Sequence, residues 1–339
     1  MTLNLQTVKK FLIVRFSSIG DIVLTTPVIR CIRRHYPGSE IHYLTKKAFL
    51  PVLRHNPYLD KIYLLDNNRE ELTVELLKEK YDLLIDLHHN LRTYALRRSL
   101  QVESASFNKL NLQKWLMVNL RVNMLPDVHI VDRYLDTVKK LGVTNDFEGL
   151  DYFLSPGDEV SAKDLPASHH AGYIAIVIGA TYATKKLPVE KLATLCSMIH
   201  HPIILLGGNT DAAEGNQIAA QDDIKIYNAC GKFTLNESAY LVKQAKLVIS
   251  HDTGLMHMAA AFKKPVISIW GNTVPEFGMY PYYGKPEVWN HQMEVKGLSC
   301  RPCSKIGFNK CPKKHFKCMM NQDMQQLAEL ISRYLQKPS

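Results

Sequence analysis

No stretch of this 339-residue chain approaches the roughly 18 consecutive apolar residues that a helix needs to cross a bilayer. Nor do residues 1–10 have the order of a secretion signal: their basic residues follow the apolar ones, and the apolar run 11–14 is too short. The chain is therefore expected to stay in the cytoplasm. No G-x-G-x-x-G follows a strand-like run, which counts against a dinucleotide-dependent oxidoreductase. Acidic residues fall short of basic ones, 32 against 42. The resulting net charge of +10, with an isoelectric point near 9.1, points to polyanionic partners: nucleic acid, an anionic membrane surface or phosphorylated substrates. A reducing compartment also argues against disulfides among the seven cysteines.

What is present is organised around residues 248–270, V-I-S-H-D-T-G-L-M-H-M-A-A-A-F-K-K-P-V-I-S-I-W. Short apolar runs at 247–249 and 266–269 read as buried strands, the second opened by Pro265. Between them Leu255, Met258, Ala259 and Phe262 fall at i, i+3, i+4 and i+7, the apolar stripe of a helix. His251-Asp252-Thr253-Gly254 then occupies the turn at the helix N-terminus, where free N–H groups and the positive dipole end attract anions. Gly254 permits close backbone approach, and Thr253 adds a hydroxyl. Asp252 suits a cap or sugar hydroxyls. His257 lies on the side of Gly254, where it reaches the same ligand. An N-cap Asp-Thr with a surface histidine explains the same residues.

The length suggests two domains of about 150 residues each. Residues 11–16 read as a first strand, followed by the turn Ser17-Ser18-Ile19-Gly20-Asp21 and one helix from about Gly20 to Tyr36, kinked at Pro27. Strands at 41–44, 62–65 and 83–86, with a helix at 70–80, continue the pattern, and 88–92 (H-H-N-L-R) forms the loop after the fourth strand. Residues 149–172 read as a linker. Strand and helix then alternate again: strands at 173–178, 203–206 and 224–227, and helices at 188–199, 211–220 and 235–244. Such alternation gives parallel sheets flanked by helices. The fold class is α/β, two Rossmann-like domains with ligands outside the carboxyl ends of the strands and a cleft between facing edges. A final amphipathic helix carries Met324, Leu327, Ile331 and Leu335.

Four motifs in order carry a resemblance over nearly the whole chain: V-R-F-S-S-I-G-D-I-V-L-T-T-P near the start, D-L-H-H-N-L-R at 86–92, T-Y-A-T-K-K-L-P at 181–188, and H-D-T-G-x-x-H. Together they resemble glycosyltransferase family 9, the bacterial lipopolysaccharide heptosyltransferases. The resemblance implies a GT-B fold and transfer, with inversion, of a heptose from ADP-heptose to a lipopolysaccharide core or related lipid-linked acceptor at the inner face of the inner membrane. It divides the chain into an acceptor-binding domain at 1–155, a nucleotide-sugar domain at 172–322, and a helix at 323–339 packed back on the first domain. Asp21 matches the catalytic base. Thr181, Lys185, Asp252, Thr253, Gly254 and His257 match the donor site. Ser18, Gly20, His88 and Arg92 are the candidates for the acceptor side. No cofactor is implied for catalysis.

The weaker signals have plainer readings. Gly207-Gly208-Asn209 fits a strand-to-helix turn as well as a nucleotide contact, and the helix dipole accounts for Glu237. Cys300, Cys303, Cys311 and Cys318 form a basic C-x2-C-x7-C-x6-C loop, a candidate structural Zn2+ site whose second pair departs from the usual short knuckle; free thiols packed in a loop are the competing reading. Two alternative functions remain on these residues alone, a nucleotide-dependent oxidoreductase and a basic nucleic-acid-binding protein. The second leaves two full α/β domains unexplained, so nucleic acid is not expected as a partner.

Overall fold

A computed structural model describes residues 9–66, 68–285 and 287–336. Residues 1–8, which bear on the expectation about a secretion signal, and 337–339 lie outside the described residues. The chain divides into two compact units. The first comprises Met1–Leu110, Val128–Phe153 and Tyr282–Pro286; the second comprises Asn111–Asp127, Leu154–Pro281 and Glu287–Ser339. Relative to boundaries at 155 and 172, residues 111–127 fall with the second unit and 282–286 with the first.

The first unit is built on β1 (Lys10–Val14), β2 (Glu40–Lys46), β3 (Lys61–Leu65), β4 (Leu83–Asp86) and β5 (Ser104–Ser106), in the order β3-β2-β1-β4-β5 with every pairing parallel. The central run Phe11-Leu12-Ile13-Val14 is buried on both faces, as a parallel strand covered by helices must be. The connecting helices are α1 (Ile19–Val23), α2 (Thr26–His35), α3 (Leu50–Leu53), α4 (Arg69–Lys78) and α5 (Leu91–Leu100). After α6 (Asn111–Asn119), which belongs to the second unit, α7 (Ile130–Leu135) returns to the first.

The kinked helix expected from Gly20 to Tyr36 is instead two helices. The Thr25 and Thr26 hydroxyls donate to the Ile22 and Val23 carbonyls at 2.7 and 2.8 Å and close α1. Pro27 cannot donate to the carbonyl four residues back and would clash with it, so the helix restarts and places the proline in its first turn.

The second unit holds β6 (Ile174–Val177), α8 (Val189–Met198), β7 (Ile203–Leu206), α9 (Ala212–Ala219), β8 (Ile226–Asn228), α10 (Leu235–Gln244), β9 (Leu247–His251), α11 (Gly254–Ala261), β10 (Val266–Trp270), β11 (Asn290–Glu294), α12 (Lys317–Met320) and α13 (Met324–Leu335). Its sheet is parallel, in the order β11-β10-β9-β6-β7-β8. The last helix corrects an expectation: Met324, Leu327 and Ile331 of α13 enter this unit's own core beside Leu192 and Leu195 of α8. Its apolar stripe is matched there, so nothing in its own sequence directs it to the first domain. Among the described residues no helix is long and apolar enough to cross a membrane.

Candidate functional site

In both units the candidate residues follow the carboxyl ends of parallel strands, the edge where α/β sheets bind ligands. In the first unit the chain leaves β1 through Arg15, Phe16, Ser17 and Ser18 into α1. Asp21 sits in the first turn of α1, and both of its carboxylate oxygens are engaged. Oδ2 accepts from the Ser18 hydroxyl at 2.7 Å and the Ser18 N–H at 3.1 Å. Oδ1 lies 2.7 Å from a terminal nitrogen of Arg15. Arg15 is buried and is itself anchored, donating to the carbonyls of Ser17 at 2.7 Å and of Leu87, just past β4, at 2.5 Å. Burial alone would raise the Asp21 carboxyl, but the Arg15 charge and the Ser18 donors outweigh it and hold it below its ordinary value.

His88 joins this cluster after β4, its ring against Phe16 with centroids 4.9 Å apart. Burial, then the positive charges of Arg15 and Lys109, push it down to about 4, so the imidazole is neutral near pH 7. Asp86 fixes the loop by accepting from the His88 and His89 N–H groups at 3.0 and 2.6 Å. Gly20 is buried in α1. Arg92 is placed differently: it is exposed in the first turn of α5, where Asn90 caps its N–H at 2.9 Å, and among the described residues no ion pair ties it to Asp21. Arg15 went unnoticed as a site residue. Its signal was there to find, the single charge in the otherwise apolar run 11–16 directly before S-S-I-G-D.

In the second unit three strand ends meet. Lys185, after β6, donates to Asp252 Oδ2 at 2.6 Å and to the Asp252 carbonyl at 3.3 Å. Thr273, after β10, donates its hydroxyl to the same carboxylate oxygen at 3.0 Å. Thr253 is the extended N-cap of α11, its Oγ1 3.3 Å from the Ser250 hydroxyl, and Gly254 opens the helix. His257 is buried on α11 rather than on the surface. His251 is also buried; its Nε2 accepts from the Leu187 N–H at 2.9 Å, and burial above all pushes it down to about 3. It stitches β9 to the loop that carries Lys185. Thr181 is exposed and enters none of these hydrogen bonds; Thr184 is the threonine fixed in the loop, with its Oγ1 accepting from the Phe308 N–H at 2.8 Å. Sequence reasoning missed Thr273, whose only signal is its place just beyond a strand.

The family profile of glycosyltransferase family 9 (heptosyltransferase) matches residues 69–315. The chain belongs to this family. It is a glycosyltransferase of the heptosyltransferase type, with two parallel-sheet Rossmann-like units of the GT-B class. Among proteins it resembles, lipopolysaccharide heptosyltransferase 1 of Campylobacter coli is 27% identical over 294 residues, covering 78% of this chain and 84% of that protein. Among solved structures, the glycosyl transferase family 9 protein of Veillonella parvula DSM 2008 superposes with a TM-score of 0.76 at 22% identity, covering 99% of this chain and 98% of that one. The ADP-heptose lps heptosyltransferase II of E. coli gives 0.71 at 18% identity over 96% and 98%. These relatives lend no support to the oxidoreductase or nucleic-acid-binding alternatives.

In this family member several motif residues serve the scaffold. Lys186, next to Lys185, turns the other way and pairs with Asp211 at 2.8 Å and Glu214 at 2.5 Å. Gly207 is pressed against Asp211, where an added Cβ would come within 2.9 Å, so packing explains this glycine without a nucleotide. Glu237 closes a capping box, accepting from the Thr234 N–H at 2.7 Å. The four cysteines of the candidate Zn2+ loop lie near enough for Cys300, Cys303 and Cys311 to act on the Cys318 thiol, yet they are not drawn to metal-ligand spacing. All seven cysteines are free thiols. A tetrahedral Zn2+ site would bring its sulfurs within about 4 Å of one another. Among the described residues, only Glu40, His42 and Glu79 bring three such ligand atoms together. Their carboxylates are already taken by Lys10, 2.7 Å from Glu40, and by Lys61, 2.9 Å from Glu79, so that group reads as an ion-pair network. In the cysteine loop Cys300 Sγ lies 3.7 Å from His315 Nε2.

Proposed function

We propose that this chain moves a heptose from ADP-heptose onto a lipopolysaccharide core or related lipid-linked saccharide, with inversion at the anomeric carbon. The observation that carries the reading is the Lys185–Asp252–Thr273 cluster at three strand ends, in a chain of the heptosyltransferase family. The acceptor hydroxyl oxygen attacks the anomeric carbon opposite the diphosphate. A new carbon–oxygen bond forms as the bond to the phosphate oxygen breaks, and the electron pair leaves on that oxygen. The hydroxyl proton passes to the Asp21 carboxylate, a general-base contribution of about 10²–10⁴-fold.

Lys185, with Thr181 beside it, and the N–H groups that open α11 stabilise the departing charge, because their dipoles are already oriented before reaction. Asp252, Thr253, Gly254 and His257 complete the donor end. Ser18, Gly20, His88 and Arg92 serve the acceptor, with Arg92 suited to an anionic group on it. No metal enters this scheme. The protein would work in the cytoplasm, bound peripherally to the inner face of the inner membrane where a lipid-linked acceptor lies. Mass spectrometry of products from a panel of nucleotide sugars and lipid extract tests the reading. A product heavier by one heptosyl unit, formed with ADP-heptose, is expected; transfer only from a UDP-hexose would overturn it.

A further inference from the structure

Between Glu294 and Asp323 the chain holds no acidic residue but carries Lys296, Arg301, Lys305, Lys310, Lys313, Lys314 and Lys317. Arg301 pairs with Glu294 at 2.6 Å. By contrast Lys305, Lys310, Lys313, Lys314 and Lys317 are exposed and enter no ion pair among the described residues. Ile306 and Phe308, in the same loop, are exposed as well.

A second segment of this unit has the complementary character. Helix α6 packs Met117 against Val274 and Phe277. On another face it turns Leu112 and Trp115, 66% and 53% exposed and one turn apart, to solvent. The chain beyond it continues with Leu120, Val122 and Met124, all exposed. The guanidinium of Arg121 joins the two segments, donating to the carbonyl of Ser299 at 2.9 Å and of Pro302 at 2.5 Å. An unpaired apolar face beside a run of cations free of acids combines the two terms of interfacial binding: apolar side chains that insert and ammonium groups that pair with phosphate headgroups. A second copy of this equally basic chain would meet like charge there, and duplex DNA offers nothing to an exposed tryptophan and four exposed apolar side chains.

We propose that residues 111–124 and the basic loop 296–317 form a docking surface for an anionic lipid bilayer. The proposal rests on the reading of a membrane-borne acceptor, and its test reads vesicle binding, which does not require transfer. Trp115 makes the experiment direct, because Trp270 is buried and Trp289 half-buried, leaving it the one exposed tryptophan of three. The full chain is mixed with phosphatidylcholine vesicles with and without phosphatidylglycerol. Expected are co-flotation and a blue shift of emission with the anionic vesicles only, both weakened by salt. Replacing Trp115 by Phe should remove the shift. Combining Lys313→Gln with Lys314→Gln should lower the partition coefficient roughly thirty-fold, about five-fold for each ammonium lost. Unchanged melting temperatures show that these surface variants fold. An Asp21→Ala protein should still bind vesicles, which separates docking from transfer. No flotation with anionic vesicles, equal flotation with neutral ones, or a dimer that Leu112→Ser breaks apart would each overturn the proposal.

Discussion

Replacing Arg15 by glutamine removes the positive charge 2.7 Å from Asp21 Oδ1 and leaves a polar side chain near the Ser17 and Leu87 carbonyls. The side chains of Arg15 and Asp21 are only 10% and 19% exposed, so solvent screens the pair weakly. Breaking such a pair from one side costs about 3–5 kcal/mol, because the remaining carboxylate stays buried without its partner. The same change alters the ionisation of Asp21. With Arg15 gone, its largest opposing influence is lost and burial meets the Ser18 donors, while Tyr43, Tyr134 and the neutral His88 also lie close enough to act on the carboxylate.

The Asp21 carboxyl must therefore move up. If Asp21 is the base, the acidic limb of kcat/KM moves to higher pH with it, while turnover well above that limb is largely kept. The stability consequence has a definite sign. In the native protein the carboxyl lies below its unfolded value, so its contribution is present above about pH 4 and is lost as pH falls through the folded value. The variant lacks that contribution, so its melting temperature drops at neutral pH and the gap to the native protein narrows in acid. Steady-state ADP release across pH 4–9, read beside thermal melts, measures both. An acidic limb at the same pH in Arg15→Gln and native protein, with turnover intact, would refute the assignment of Arg15 as the group that sets Asp21.

Other perturbations give separate readings. Asp21→Asn should lower kcat by about 10²–10⁴-fold and leave the dissociation constant for ADP within error, and most of the turnover surviving would remove Asp21 from the mechanism. Lys185→Met should weaken ADP binding by roughly ten- to a hundred-fold, the worth of a charged hydrogen bond, as read by calorimetry, and unchanged affinity would contradict its phosphate role. His251 ionises in the folded chain at about 3, so the unfolded chain takes up its proton first on acidification and stability falls from about pH 6.5 downward, by several kcal/mol in all. His251→Gln should flatten that slope in urea melts between pH 6.5 and 4, and an equally steep slope would assign the acid sensitivity to another group.

Some elements could be read directly because local and tertiary signals agree. Helix α10 begins at Thr234, whose side chain accepts from the Glu237 N–H, and its buried face includes Ala239, Leu241 and Val242. Helix α13 repeats apolar residues at 324, 327 and 331, and all three are buried. Helix α5 gave no such signal. Its Leu91 and Tyr94 point to solvent and its only fully buried residue is Thr93, so no apolar stripe marks it, and the Asn90 cap read as part of a loop. Strand β11, N-H-Q-M-E, is an edge strand with Met293 alone buried. At the candidate site, Asp21, Lys185 and Asp252 could be picked out because each stands in a motif just past an apolar run. Arg15 and Thr273 were not: the first was absorbed into its strand and the second had no motif of its own, and what identifies both is which carboxylate they touch.

Those two contacts differ in kind, and the difference fits the two tasks proposed for them. Asp21 is held by an arginine, whose charge persists at every accessible pH and whose planar fork is tied to two carbonyls, so the cation stays in place and keeps the carboxylate ionised and aimed. Asp252 is held by a lysine, a compact charge on a flexible stem with three donors and no fixed plane. A diphosphate offers such an ammonium more negative charge than one carboxylate does, so the pairing can pass from Asp252 to an incoming donor. Thr273, already donating to the same oxygen, keeps Asp252 hydrogen-bonded when the lysine turns away. An arginine at 185 would resist that exchange, and a lysine at 15 would leave Asp21 less firmly aimed.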